Sequence, residues 1–240
     1  MSGRETLVVL SGQEDYGRIL KLQRAWVAAL ALGFVQELVW IGSHPRVITL
    51  GRRGGSADLR LDRNDLAKRG IQVVAIERGG LATVHGPGQL VAYPILRLKD
   101  AGLGIRELVW RLEEAMIHLL ADLGIVAARS QVNPGVWVGQ AKIGFIGLAV
   151  RHQISFHGLA LNLNSDPALF DLIVPCGLKD VKTTSASLIL GRPVEMSQAG
   201  LALAGKLADL FGLKPLFISL AEAEARVNEL GLKGAYSPER

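Results

Sequence analysis

Strand-like and helix-like hydrophobic patterns follow one another in this chain without the regular alternation of a βαβ fold. Apolar residues recur at helical spacing over residues 15–32 and 105–123. Three β-type runs come next, at residues 135–138, 141–150 and 154–164, and two further helical patterns close the chain. Because helices and strands are grouped in this way, the sequence predicts an α+β fold with a mixed sheet.

Length and composition predict a single domain over residues 1–240, in which residues 231–240 are a candidate flexible tail. No internal repeat, low-complexity tract or linker interrupts the 240 residues, of which 49% are hydrophobic. A domain of this size buries roughly 70–75% of the surface of its unfolded chain and needs no metal to fold. The most apolar stretch, residues 26–35, is about half of the roughly 20 residues that span a bilayer, so we expect a cytoplasmic protein.

The positive charge is concentrated in one part of the chain. Between Arg46 and Arg78 there are eight basic and four acidic residues, which is +4 of the total net charge of +5. The stretch is either an ordinary solvated surface or a docking face for an acidic partner, since a patch of one sign steers partners of opposite charge. Nucleic acid is less favoured, because no aromatic residues interleave with these charges to form a stacking platform.

A glycine-rich string runs from Arg78 to Gln89. It is not a dinucleotide fingerprint, since no helix-starting pattern follows it, and it lacks the Gly-Lys-Ser/Thr ending of a phosphate-binding loop. Glycine at this density costs backbone entropy, which chains tolerate where a ligand approaches the backbone closely. Leu81, Ala82 and Val84 supply apolar walls, so the string is compatible with a bound small molecule that has an apolar tail.

Cys176 is the only cysteine of the chain, so it forms no intramolecular disulfide. Its value lies either in packing, as a small buried hydrophobe, or in reactivity. Lys142 lies within an otherwise apolar β-type run and is either solvent-facing or buried. A thiol with a pKa of about 8.5 is only roughly 3% ionised at pH 7, and a buried lysine beside it would raise that fraction. The spacing of His152 and His157, without a Cys-x-x-Cys pair, argues against a zinc site.

Several separate motifs resemble, in the same order, those of the lipoyl(octanoyl) transferases of lipoate synthesis. They are Arg78-Gly-Gly-x-x-Thr83-x-His85-Gly-Pro-Gly-Gln89, Gly135-Val-Trp-Val, Ala141-Lys142-Ile143, His157-Gly158-x-Ala160-Leu161-Asn162 and Ile173-Val-Pro-Cys176-Gly177. The resemblance covers roughly residues 40–190. It implies the mixed-sheet fold of lipoate and biotin protein ligase catalytic domains.

The resemblance also implies an activity and its residues. The family moves an octanoyl group from octanoyl-acyl carrier protein to a lysine of a lipoyl domain in 2-oxoacid dehydrogenases or of the glycine cleavage H protein. It implies that Cys176 is the nucleophile and Lys142 the acid/base, with no metal or other cofactor, and no nucleic-acid or membrane partner. The implied acyl-binding residues are Arg78, Gly79, Gly80, Leu81, Ala82, Thr83, Val84, His85, Phe145, Ile146, Gly147, Gly158, Leu159 and Ala160.

Three alternatives stay open on the same fold. A lipoate or biotin protein ligase would activate a free carboxylate with ATP and would need no cysteine nucleophile. A non-catalytic homologue would only bind carrier protein or lipoyl domains, and a thioesterase would admit water to the acyl-enzyme. The chain also departs from the family at residues 181–188, where it is longer than the usual Val-Thr-Ser-Leu pattern.

Overall fold

The computed structural model describes residues 3–130, 133–174 and 181–231. Cys176 and most of the candidate tail lie outside these residues. Within them, no helix is both long enough and apolar enough to cross a bilayer.

The described residues form one large mixed sheet and one small sheet. The large sheet has the strand order β11-β1-β2-β6-β10-β9-β8-β7, in which β1 is parallel to β11 and β2 and the remaining pairs are antiparallel. Its strands are β1 (Arg4–Gln13), β2 (Leu38–Ser43), β6 (Gln89–Ile95), β7 (Ala128–Arg129), β8 (Val136–Val138), β9 (Ala141–Arg151), β10 (Ile154–Asn162) and β11 (Leu213–Ile218). The small sheet, in the order β4-β3-β5, contains β3 (Val47–Leu50), β4 (Gln72–Ala75) and β5 (Ala82–His85).

Helices cover both faces of the large sheet. They are α1 (Tyr16–Ala31), α2 (Arg63–Lys68), α3 (Ile105–Asp122), α4 (Ala186–Leu190), α5 (Met196–Phe211) and α6 (Leu220–Glu229), with 3-10 helices at Ser56–Asp58 and Pro167–Leu172. One core cluster packs α1, α6 and the small sheet against one face, and a second packs α3 and α5 against the other. This arrangement confirms the predicted α+β class and mixed sheet.

Helix α3 shows how the hydrophobic pattern sets the packing. Leu108, Leu112, Met116 and Leu119 recur every three or four residues and are buried together, as their spacing predicts. The helix ends at Asp122, and Gly124 follows the capping residue Leu123 with a φ of 81°. One charged residue, Glu113, lies among the buried residues of this helix.

Three strands differ from the sequence-based expectation, because β5, β7 and β11 were not predicted. Strand β5 falls inside the glycine-rich string and forms by pairing with β3. Strand β7 has only two residues, too few for a pattern. Strand β11 contains Pro215, which removes a backbone donor and is tolerated because β11 is an edge strand.

Candidate active site

A cavity of about 420 Å³ lies where the glycine-rich string meets β9 and β10. Its lining includes all the predicted acyl-binding residues among those described, with one exception. Val84 does not line the cavity. It is buried in the core cluster that contains Ile48, its partner in the pairing of β5 with β3.

Close backbone contacts explain the glycines at the cavity wall. Gly79 N donates to Leu148 O at 2.8 Å, which ties the string to β9. Gly80 has a φ of 87°, a conformation that glycine adopts readily. A Cβ atom on Gly51 would lie 2.6 Å from Gly80 O, so the loop after β3 also needs a glycine where it meets the string.

Arg78 is 6% exposed and joins the two sheets. Its guanidinium donates to Thr49 O at 2.6 Å and to Gly79 O at 3.0 Å. A Cβ atom on Gly147 would lie 2.7 Å from Arg78 Cδ, so the arginine stem packs directly over the bare backbone of β9. Arg78 therefore lines the cavity while its guanidinium also serves to hold the wall together.

Lys142 is buried, with 3% of its surface exposed. Its Nζ donates to Asn133 Oδ1 at 2.7 Å and to Pro134 O at 2.8 Å, and lies 5.2 Å from the ring centroid of Phe145. The alternative of a solvent-facing lysine is therefore wrong. The sequence reasoning missed Asn133 and Pro134, because no local pattern marks them as partners of a lysine on the next hairpin.

Gly135 completes the contact with Lys142. It has a φ of 127°, and a Cβ atom there would lie 2.4 Å from Gly144 O and 2.7 Å from Lys142 Cε. Glycine at this position therefore leaves room for the lysine stem. Its place in the Gly135-Val-Trp-Val motif was the sequence signal that could have identified it.

Buried hydrogen bonds connect His85 to the strand that carries Lys142. His85 Nδ1 lies 2.7 Å from Gln89 Oε1, Gln89 Nε2 donates to Asn162 Oδ1 at 3.0 Å, and Asn162 Nδ2 donates to Thr184 O at 3.0 Å. Because Gln89 Oε1 can only accept, His85 donates from Nδ1. Thr184 N in turn donates to Lys142 O at 3.0 Å, which closes the connection.

A second buried group lies beside the cavity, and it was not predicted as a unit. His44 Nδ1 lies 2.8 Å from Glu14 O and its Nε2 lies 3.0 Å from Tyr93 Oη, so His44 donates to the carbonyl and accepts from the tyrosine. Tyr16 stacks on His85 at a centroid distance of 5.8 Å. These residues are far apart in sequence, so only the folded chain brings them together.

Burial controls the protonation of these histidines. It lowers the pKa of His85 to about 3 and that of His44 to about 4. Both histidines are therefore neutral at pH 7. Their neutral forms favour the folded state, and this stability is lost as the pH falls below about 6.5, where the unfolded chain binds protons first.

The described residues on either side of positions 175–180 are held by backbone contacts. On the upstream side, Val174 N donates to Asp58 O at 2.9 Å. On the downstream side, Lys142 N donates to Lys182 O at 2.8 Å, and Thr183 forms a β-bridge with Lys142. Lys182 and Thr183 therefore lie beside β9, the strand that carries the buried lysine. Cys176 itself lies outside the described residues.

The arrangement brings the buried amine of Lys142 to the cavity wall. Within residues 3–130, 133–174 and 181–231, no group of three or more histidine, cysteine, aspartate or glutamate side chains could hold a metal ion. A deep cavity with apolar walls and a buried amine is typical of a small-molecule site in an enzyme. Fold and cavity together are typical of a domain that binds a small molecule.

Sequence comparison identifies the family of this domain. Residues 15–208 match the family described as lipoyl protein ligase A/B catalytic domain, and the chain belongs to that family. An octanoyltransferase from Syntrophobacter fumaroxidans is 42% identical over 94% of this chain and 99% of its own length. Another from Desulfotalea psychrophila is 45% identical over 84% of this chain and 92% of its own length. These relatives confirm the predicted family and the predicted class of enzyme, an acyltransferase.

Comparison with solved structures confirms the predicted fold. A putative lipoate protein ligase from T. acidophilum, solved with bound lipoic acid, superposes with a TM-score of 0.73. The match covers 97% of this chain and 96% of the other, at 18% sequence identity. At this identity the likeness establishes the shared architecture.

Proposed function

We propose that the protein transfers an octanoyl group from octanoyl-acyl carrier protein to a lysine of a lipoyl domain, through a thioester on Cys176. The observation that carries the proposal is the buried amine of Lys142 at an apolar-walled cavity. The relatives named octanoyltransferases support the choice of acyl group. The single domain over residues 1–240 is part of the same proposal.

The first half-reaction moves the acyl group onto the enzyme. Lys142, in its neutral form, takes the proton of the Cys176 thiol, and the resulting thiolate attacks the carbonyl carbon of the donor thioester. A new bond forms between Cys176 Sγ and this carbon, and the bond to the carrier sulfur breaks. The departing thiolate takes the proton back from Lys142.

The second half-reaction passes the acyl group to the acceptor. The lysine amine of the lipoyl domain attacks the acyl carbon, an amide bond forms, and the bond to Cys176 Sγ breaks. The proton lost by the amine returns, through Lys142, to the cysteine sulfur. A thioester donor already stores the free energy of amide formation, so this route consumes no ATP.

The cavity walls suit an alkyl chain. Leu81, Phe145, Leu159 and Ala160 supply apolar surface, and burial of each methylene of a chain contributes about 0.8 kcal/mol. Gly147 adds no side chain of its own, and the stem of Arg78 covers the backbone of β9 there.

The ligase alternative makes a different demand on the substrates. We expect the protein, given octanoyl-acyl carrier protein and an apo lipoyl domain without ATP, to increase the mass of the domain by one octanoyl group. A ligase would instead require free octanoate together with ATP. Modification that occurs only with free octanoate and ATP would reject the proposal.

Acyl-chain length is expected to depend on Ala160. This residue lines the cavity and is 4% exposed, so a larger side chain there takes up chain volume. Ala160→Leu should lower the ratio of octanoyl to butanoyl transfer by about tenfold or more, since each excluded methylene forfeits about 0.8 kcal/mol. Ala160→Ser is the matched control because it barely changes volume. Competition between octanoyl and butanoyl thioesters measures the ratio, and an unchanged ratio in Ala160→Leu would place the chain elsewhere.

Carrier-protein docking is expected to depend on Arg52 and Arg53, which are exposed at the cavity mouth, where Arg53 lines the cavity. Reversing both charges should lower kcat/KM for octanoyl-acyl carrier protein about tenfold and spare a small octanoyl thioester, because the acidic protein loses its steering field. Reversal of the exposed Lys99 and Lys214 changes net charge equally and serves as the control. Equal losses for both substrates would count against a docking role.

A further inference from the structure

Glu113 is a buried carboxylate that takes no part in the two half-reactions described above. It is 6% exposed on the inner side of α3, where a charge is costly unless it is paired and hydrogen-bonded. Its Oε1 accepts from the backbone N–H of Gly135 at 2.7 Å, and its Oε2 lies 3.2 Å from Arg129 Nε. The two oxygens of the carboxylate therefore face different partners.

The hydrogen bond to Gly135 connects Glu113 with the residues that hold Lys142. Residues 133–135 form the lysine-holding turn, in which Asn133 Oδ1 and Pro134 O accept from Lys142 Nζ. The N–H that Glu113 captures belongs to the same peptide group as Pro134 O, because that carbonyl is bonded to the nitrogen of Gly135. Fixing the N–H therefore fixes the direction of an acceptor of Lys142.

Arg129 has contacts besides the one with Glu113. It also pairs with Glu114, donates to Trp110 O at 2.9 Å, and lies over the Trp110 ring at 4.4 Å. The contact that distinguishes Glu113 from its neighbour Glu114 is thus the hydrogen bond to Gly135. Burial of the carboxylate removes competing water from that bond.

We propose that Glu113 is a positioning residue for acyl transfer, which holds the lysine-holding turn and thereby the Nζ of Lys142 through the N–H of Gly135. The inference rests on the acid/base role proposed for Lys142. A displacement of about 1 Å at a reacting group can cost 10²-fold in rate. Loss of the Glu113 contact is therefore expected to slow acylation while leaving Cys176 and Lys142 present.

The test compares variants at two neighbouring positions of α3. Glu113→Met removes both oxygens at similar volume, Glu113→Asp keeps the charge but withdraws the oxygen from Gly135, and Glu113→Gln keeps an acceptor of the original length. Glu114→Met is the matched control, because it removes a partner of Arg129 without touching the turn. Single-turnover acylation by a small octanoyl thioester is followed by intact mass at about pH 7 and about pH 9, and thermal unfolding reports the fold of each variant.

We expect Glu113→Met and Glu113→Asp to acylate about 10- to 100-fold more slowly at pH 7. Glu113→Gln should recover most of the rate, and Glu114→Met should stay within about twofold of the parent. The deficit should shrink at about pH 9, where a thiol of pKa about 8.5 ionises without help. A purely structural lesion would instead slow acylation equally at both pH values. If the methionine variant does not fold, the aspartate variant carries the comparison.

The outcomes separate this inference from the proposed function. If Lys142→Met is slow but Glu113→Met and Glu113→Asp acylate at the parent rate, or lose the same factor at both pH values, the positioning role is wrong and the role of Lys142 stands. If Lys142→Met and the Glu113 variants all acylate at the parent rate, the proposed role of Lys142 fails and takes this inference with it.

Discussion

Replacing Lys142 with methionine is expected to slow acylation of Cys176 by about 10²–10⁴-fold at pH 7, the usual contribution of a positioned acid/base. Methionine keeps the apolar stem that packs beside Phe145 but has no amine to accept a proton from the thiol. The thiol then depends on its own ionisation, roughly 3% at pH 7, which accounts for about 30-fold, and the departing thiolate also loses its proton donor. The rate of acylation is measured in quenched single-turnover reactions with an octanoyl thioester.

Two further variants define what the lysine contributes. Lys182→Met is the matched control, since the side chain of Lys182 is exposed while its backbone carbonyl accepts from the N–H of Lys142. Its rate should equal that of the parent. Lys142→Arg places at this position a positive charge that cannot accept a proton, so we expect it to be slow like Lys142→Met if proton transfer is what the lysine contributes. A Lys142→Met enzyme with the parent rate would remove the lysine from the chemistry.

Replacing Cys176 with alanine is expected to lower octanoyl transfer to a lipoyl domain by about 10³-fold or more, as for other enzymes that lose their nucleophile. A route in which the acceptor lysine attacks the donor thioester directly has no need of the sulfur. That route predicts substantial activity in Cys176→Ala. Transfer is measured by the mass of the lipoyl domain, and an unchanged melting temperature would show that the variant is folded. Activity close to that of the parent would contradict the covalent route.

Local patterns in the sequence were sufficient for much of the fold. The helices α1, α3, α5 and α6 and the β9–β10 hairpin follow from hydrophobic spacing that packing then satisfies. Strand β11 could not be predicted this way, because Pro215 disfavours a strand and only its edge position next to β1 permits one. Whether a strand lies at the edge or in the centre depends on the whole sheet, so a local pattern does not show it.

The residues of the candidate site could likewise be predicted only where local motifs contain them. Lys142 and the glycines of the cavity wall stand in motifs, so the resemblance to a known family was enough to single them out. The His44–Tyr93 hydrogen bond joins residues 49 positions apart, and the bond between Glu113 and Gly135 spans 22 positions. Val84 was predicted among the acyl-binding residues, but it lies in the core cluster beside Ile48 and outside the cavity lining. Such contacts depend on how whole elements dock, which no local pattern records.

The central claim is tested most directly by the intact mass of the protein after mixing with octanoyl-acyl carrier protein in the absence of an acceptor. The sulfur at position 176 is predicted to gain the mass of one octanoyl group, which peptide mapping assigns and which an added lipoyl domain removes. Two results would contradict the account. One is octanoylation of the lipoyl domain by a protein that never gains this mass itself, and the other is a Cys176→Ala variant that still gains the mass.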